Sequence, residues 1–257
     1  MNLSGNTILI TGGSAGIGLT FAKKFRELGN EVIVTGRRLD KLEEAAAAIP
    51  GLHTIQSDAG SASDIAALAS RIRKDFPKLN VLMNNAGILL YKNVAFPDAD
   101  LEGLTVELDV NVAGPIRTVS ALVDVIKANR GTIINVSSGL AYVPLTCSPI
   151  YSATKAALHS YTVSLRFQLA DAGVEVIELM PPAIKTDMTA DLKAGGDFQL
   201  MSLEDLLAAT MKGLAAGHAE IRPGQSNQLH WMSRIAPGFI NGQLAKGSKA
   251  LIPAAKS

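Results

Sequence analysis

The apolar run Thr7-Ile8-Leu9-Ile10 ends directly in TGGSAGIG, Thr11 to Gly18, and the amphipathic stretch Leu19 to Leu28 follows at once. A short buried strand that breaks into glycines and opens a helix leaves few folds available. Two readings compete for Ser14. Gly12-Gly13-Ser14-Ala15-Gly16 fits the G-x-S-x-G elbow of hydrolases, whereas Gly12, Gly16 and Gly18 fit a turn that cradles a dinucleotide. The elbow leaves Gly18 unexplained, and it needs an oxyanion loop from an earlier strand as well as a later acid and histidine; His218 and His230 come late enough for the latter. The dinucleotide reading uses all three glycines, for a tight turn, a close backbone approach and close helix packing, and it directs the helix N-terminus at a pyrophosphate. Ser14 is then a turn residue able to donate to a phosphate.

The rest of the chain repeats the same rhythm. Thr7 to Ile10, Val32 to Thr35, His53 to Gln56, Val81 to Asn84, Thr132 to Val136 and Val174 to Leu179 read as strands. Leu19 to Leu28, Ile65 to Lys74, Leu101 to Lys127 and Ser152 to Leu169 read as helices between them. Such alternation predicts a parallel sheet covered on both faces, a single-domain, doubly wound Rossmann fold of the α/β class. A chain of 257 residues, 47% hydrophobic, can fill one core of that kind. After Pro181-Pro182 the rhythm lapses, predicting a mobile substrate loop over about 187–202. Leu203 to Ala215 reads as a helix, Glu220 to Arg222 as an edge strand, and 246–257 as a loosely held tail.

Composition narrows the partners. With 24 Lys and Arg against 23 Asp and Glu, the net charge of +1 offers no field for nucleic acid or an anionic membrane. No run is long and apolar enough to span a bilayer, and the first residues lack a secretory pattern. Cys147 is the only cysteine, which excludes an intrachain disulfide and suits a reducing cytoplasm. His53, His159, His218 and His230 show no paired ligand spacing, so no metal is expected. His159 shares the helical stripe of Tyr151 and Lys155 and reads as a packed or solvated residue rather than a catalytic one.

More motifs follow the glycine turn in order: NNAG at Asn84 to Gly87, Asn111 in NVAG, Ser138 in NVSS, YSATK at Tyr151 to Lys155, and PPAIKT at Pro181 to Thr186. Tyr151 and Lys155 fall on one helix face, and Ser138 ends a predicted strand. Ligands of open α/β sheets bind at the carboxyl ends of strands, where Ser138, Asn85 and Gly12 would gather. With this ordered set the sequence resembles the short-chain dehydrogenase/reductase family over about residues 3 to 190. Within that family, the double proline and EIRPG at Glu220 to Gly224 resemble the DltE-like oxidoreductases. The chain departs from the usual family pattern at Pro182, where glycine is expected, so an amide donor near the nicotinamide is missing.

The resemblance implies hydride transfer between a nicotinamide and a carbonyl or secondary alcohol. Tyr151 would be the acid or base, Lys155 would lower its pKa and hold the ribose, Ser138 would bind the substrate oxygen, and Asn111 would anchor a relay water. A free tyrosine titrates at about 10, and one ammonium at about 4 Å supplies about the 4 kcal/mol needed to bring it near neutrality. The resemblance places the cofactor against Gly12, Ser14, Gly16, Ile17, Gly18, Asp58, Ala59, Asn85, Ala86, Gly87, Tyr151, Lys155, Pro181, Ile184 and Thr186. At the end of the second strand, an acid would select the ribose 2′-hydroxyl. This chain has Gly36 there, then Arg37 and Arg38, which predicts NADP(H) over NAD(H). Leu140, Cys147 and Met188 are expected in an apolar substrate pocket, together with Leu89, Leu90, Tyr91, Tyr142 and Val143, which suits an apolar ketone or aldehyde. By analogy with the family a homodimer or homotetramer is expected. A non-catalytic cofactor-sensing domain is the alternative, although it would have no use for Ser138, Tyr151 and Lys155 together.

Overall fold

The computed structural model describes residues 1–96, 98, 100–190 and 198–254. Its strands are β1 (Thr7–Ile10), β2 (Glu31–Gly36), β3 (His53–Gln56), β4 (Leu79–Asn84), β5 (Thr132–Val136), β6 (Glu175–Leu179) and β7 (Glu220–Ile221). The helices of eight or more residues are α1 (Gly16–Glu27), α2 (Leu39–Ala48), α3 (Ala62–Asp75), α4 (Gly114–Ala128), α5 (Pro149–Leu169), α6 (Leu203–Ala215), α7 (Gln225–Ile235) and α8 (Pro237–Ser248). All strand pairs are parallel, in the order β3-β2-β1-β4-β5-β6-β7. This is the single-domain Rossmann arrangement that the alternation of elements predicts.

Strand alternation divides the core in two. Ile8, Ile10, Val32 and Val34 face α1, α2 and α6, where they meet Phe21, Phe25, Leu42 and Leu206. Leu9 and Ile33 face the other way, toward Leu68 and Ile72 of α3 and Leu122 and Ile126 of α4. Ile8, Leu9 and Ile10 are fully buried, and each such side chain stabilises the fold by about 2 kcal/mol. Polar residues interrupt the second face. Asn84, Asn135 and Glu178 lie in register across β4, β5 and β6, and all three are buried.

The helix expected over Leu101 to Lys127 is broken. Short helical pieces at Leu101–Leu104 and Val106–Leu108 lead into a π-helical turn, Asp109–Ala113, before α4 begins. Pro115 has no N–H to give the Asn111 carbonyl, so an α-helical ladder cannot run through this turn. The tail also differs from expectation. α8 continues through Ser248, whose Oγ lies 2.6 Å from Thr146 Oγ1, and the Pro253 carbonyl accepts from Asn93 Nδ2 at 2.8 Å. Residues 255–257 of that tail and 191–197 of the expected substrate loop lie outside the described residues. In the described part of the loop, Ile184 bridges Met201. Among the described residues no helix is long and apolar enough to cross a membrane.

Candidate active site

The strand order reverses between β1 and β4, and the turns leaving them splay apart to open a cleft of about 450 Å³. Its floor is fixed by side chains that tie the two turns together. Thr11 Oγ1 accepts from the Asn85 and Ala86 amides, each at 3.1 Å, and Asn85 Nδ2 donates to the Thr11 and Gly12 carbonyls, each at 3.0 Å. Gly12 adopts φ +65°, and a Cβ there would stand 2.8 Å from Ala86 Cα. Gly18 lies beneath the cleft, where a Cβ would meet the Gly12 carbonyl and Asn85 Nδ2 at 2.6 Å. The glycines are therefore required by backbone contact.

One end of the cleft suits an anionic nucleotide. Ala15 caps α1 without a side-chain hydrogen bond, so the first-turn amides of that helix are open to a ligand. Ser14, Gly16, Ile17, Asp58, Ala59, Asn85, Ala86 and Gly87 line the cleft, as do Arg37 and Arg38. Both arginines are exposed, and among the described residues neither guanidinium has an ion-pair partner. A Cβ on Gly36 would meet Ser14 Oγ at 2.9 Å, which sets the end of β2 directly against the glycine turn. An uncapped helix start, a glycine cradle and two unpaired cations together fit a phosphorylated dinucleotide.

At the other end stand Ser138, Tyr151 and Lys155, all lining the cleft and at most 9% exposed. Ser138 follows β5, and Tyr151 and Lys155 are one turn apart near the start of α5. Ser138 Oγ accepts from the Leu140 amide at 3.1 Å, while its own proton faces the Pro181 carbonyl at a weak 3.5 Å. Burial pushes the Tyr151 phenol well above its usual value; the Ser138 hydroxyl opposes this and the Glu107 carboxylate adds to it. Burial also pushes Lys155 down to about 8, with Glu178 opposing. The expected lowering of Tyr151 by Lys155 is not what this arrangement gives. Lys155 Nζ donates to the Val136 carbonyl at 2.9 Å and sits 5.5 Å from the centre of the phenol ring, so desolvation outweighs its charge.

Asn111 is fully buried and does not line the cleft. Its Oδ1 accepts from the Ile88 amide at 2.9 Å, and its Nδ2 donates to the Ile88 carbonyl and Thr154 Oγ1. Its side chain thus clamps the turn after β4 to α5. Pro181, Ile184, Thr186 and Met188 line the cleft wall, and Met188 is 43% exposed at its mouth. Leu140 and Cys147 do not belong to that wall. With Leu145 they form a separate apolar cluster against Tyr91, Phe198 and Leu251. The C-terminal segment and the part of the loop near Phe198 cover this cluster, a contact no local pattern announces. Val143 is also buried, and Tyr142 packs edge-on between His159 and His230.

Four positions escaped the sequence reading. Thr11 and Ser137 lie inside the TGGSAGIG and NVSS motifs, where neither motif by itself gives them a role. Glu107 is fully buried beside Tyr151, with Oε1 accepting from the Leu90 amide at 3.0 Å and Oε2 without a hydrogen-bond partner among the described residues. Glu178, read as part of an ordinary strand, is fully buried and hydrogen-bonded to His159, whose part-exposed ring packs against Tyr142 and does not line the cleft.

The short chain dehydrogenase family profile matches residues 6–196. The uncharacterized oxidoreductase DltE of Bacillus subtilis (strain 168) is 43% identical over 228 residues, covering 86% of this chain and 89% of that protein. A short chain dehydrogenase from Burkholderia cenocepacia J2315, solved in complex with NADP, superposes with a TM-score of 0.83 at 25% identity, covering 95% of this chain and 99% of the other. The 3-ketoacyl-(acyl-carrier-protein) reductase of Brucella melitensis, complexed with NADH, gives 0.76 at 27% identity, covering 88% and 100%. With its glycine cradle, its Ser138, Tyr151 and Lys155 side by side and these relatives, the chain belongs to the short-chain dehydrogenase family of oxidoreductases.

Proposed function

We propose that the protein is an NADP(H)-dependent carbonyl reductase acting on apolar ketones or aldehydes, or their alcohols. The observation that carries this reading is the gathering of Ser138, Tyr151 and Lys155 at one end of a cleft whose other end presents Arg37, Arg38 and the uncapped start of α1. The nicotinamide, when bound, supplies or accepts the hydride. Arg37, as a planar fork beside Gly36, would hold a ribose 2′-phosphate, and the α1 amides with Ser14 would hold the pyrophosphate. The relatives solved with NADP and with NADH leave both nucleotides available to the fold; the pair of unpaired arginines favours the phosphorylated one.

Tyr151 donates its proton to the carbonyl oxygen in reduction, a role suited to a phenol that burial keeps protonated. Ser138 exchanges its weak bond to the Pro181 carbonyl for one to the same oxygen and stabilises the charge developing there. Lys155, charged and close by, would draw the phenol down once a bound ribose replaces its present contacts. Met188 and Ile88 give the substrate end an apolar lining. The same reading is of an enzyme that works in a reducing cytoplasm as a homodimer or homotetramer, for which the exposed Phe167 of α5 and Ile116 of α4 offer apolar surface.

A panel of ketones and aldehydes with NADPH and NADH tests the proposal, using Tyr151→Phe as control. Turnover preferring NADPH, falling by about 10² to 10⁴ in the variant, is expected. A fully active Tyr151→Phe enzyme would overturn the assignment.

A further inference from the structure

We infer that Glu178 and His159 form a positioning pair for Lys155: the buried carboxylate holds the amine as an ammonium, and the imidazole governs how much of that negative charge reaches it. The inference rests on the reading of Tyr151 and Lys155 given above.

The geometry begins with register. Asn135 pairs with Glu178 across β5 and β6, so their side chains leave the same face of the sheet, toward α5. There Asn135 Nδ2 donates to Thr162 Oγ1 at 2.9 Å. Glu178 is fully buried, and both its oxygens are occupied. Oε1 accepts from Ser137 Oγ at 2.5 Å, and Oε2 meets His159 Nδ1 at 2.8 Å. Ser137 lines the cleft, and the preceding residue, Val136, carries the carbonyl that receives Lys155 Nζ. His159 lies one helical turn beyond Lys155, on the same face of α5, and 26% of its side chain is exposed. A hydrogen-bonded chain thus runs from the cleft wall beneath Lys155 to the protein surface.

A buried ammonium whose hydrogen bond goes to a neutral carbonyl is held poorly, and a carboxylate nearby makes the charged form cheaper. Other charges bear on the site from each neighbouring element. Around Lys155 these are Tyr151 on α5, Glu178 on β6 and, beyond Tyr151, Glu107. Around His159 they are Glu178, Glu220 on β7, Arg166 on α5 and His230 on α7, which in turn meets Arg222 and Arg234. Tyr142 packs against the His159 ring. The Glu178 hydrogen bond is the main cause of the upward shift of His159, with burial opposing. When His159 is protonated, its charge offsets the carboxylate; when it is neutral, Lys155 feels Glu178 more fully.

The test reads Lys155 directly, by nitrogen-15 NMR titration of the cofactor-free full chain, with the resonance assigned from Lys155→Met. Glu178→Gln keeps the shape and removes the charge, and is expected to lower the Lys155 midpoint by about one pH unit or more. The alkaline limb of kcat/KM for ketone reduction should move down with it, because that limb reports an essential group of the free enzyme. An unmoved midpoint overturns the pairing. If Glu178→Gln does not fold, the partly exposed His159→Gln decides: the wild-type Lys155 resonance should carry a second, smaller inflection where His159 gains its proton, and the variant should lack it; a wild-type curve without that inflection, or a variant that keeps it, overturns the pairing. Should the wild-type protein reduce no carbonyl while Glu178→Gln still lowers the midpoint, the charge coupling stands and the proposed activity falls.

Discussion

Holding Lys155 as an ammonium in the cleft takes a charge out of water, a cost that can be measured. Its side chain is in a residue only 4% exposed, its ammonium donates to the Val136 carbonyl, and burial brings its pKa from 10.5 to about 8. At about 1.4 kcal/mol per pH unit, that displacement corresponds to about 3 kcal/mol. Below about pH 8 the folded chain holds a buried charge that the unfolded chain carries freely in water. Between pH 8 and 10.5 the unfolded chain still binds the proton that the folded chain has released, so stability rises with pH across that window. Replacing Lys155 with Met keeps most of the volume and removes the titration. Urea unfolding of both proteins without cofactor, at intervals from pH 7 to 10.5, should show wild type gaining about 3 kcal/mol relative to the variant as the pH is raised. The absolute gap includes the lost hydrogen bond to Val136, but its change with pH isolates the ammonium. A gap that stays constant across the range would refute the claim that desolvation dominates at Lys155.

The other expectations concern the nucleotide end and the core. Arg37→Ala should reduce kcat/KM with NADPH by about ten- to hundredfold while leaving NADH nearly unaffected, since only a 2′-phosphate loses a charge-assisted bond; equal losses with both nucleotides would exclude the 2′-phosphate role. Gly12→Ala places a Cβ against Ala86 Cα in a left-handed backbone, and should cost about 2 kcal/mol or more in urea unfolding and abolish nucleotide binding. Cys147 is fully buried, and burial pushes its thiol up; the folded protein should therefore react with Ellman's reagent only after denaturant is added.

The amino-acid sequence by itself determined the layered fold and most of the cleft, because both rest on local chemistry. Short apolar and β-branched runs place β1 to β6, period-3.6 patterning places most of the helices between them though not α2, and the glycines at 12 and 18 answer to contacts that no other residue permits. A parallel order of such units brings strand ends together, so Ser138, Tyr151 and Lys155 were legible as neighbours of the glycine turn. The interruption at Asn111 had a local sign in Gly114-Pro115, although the helical periodicity around it spoke louder. Tertiary structure alone decided what depends on distant segments and on exclusion of water. The segments around Phe198 and Leu251 draw Leu140 and Cys147 away from the cleft into a cluster of their own. Register between β5 and β6 sets Glu178 against His159, nineteen residues away. The ionisation of Tyr151 and Lys155 likewise follows from burial, which no spacing encodes: a phenol and an amine one turn apart on an exposed helix would titrate as they do in water, and only the packed sheet beneath them makes either unusual.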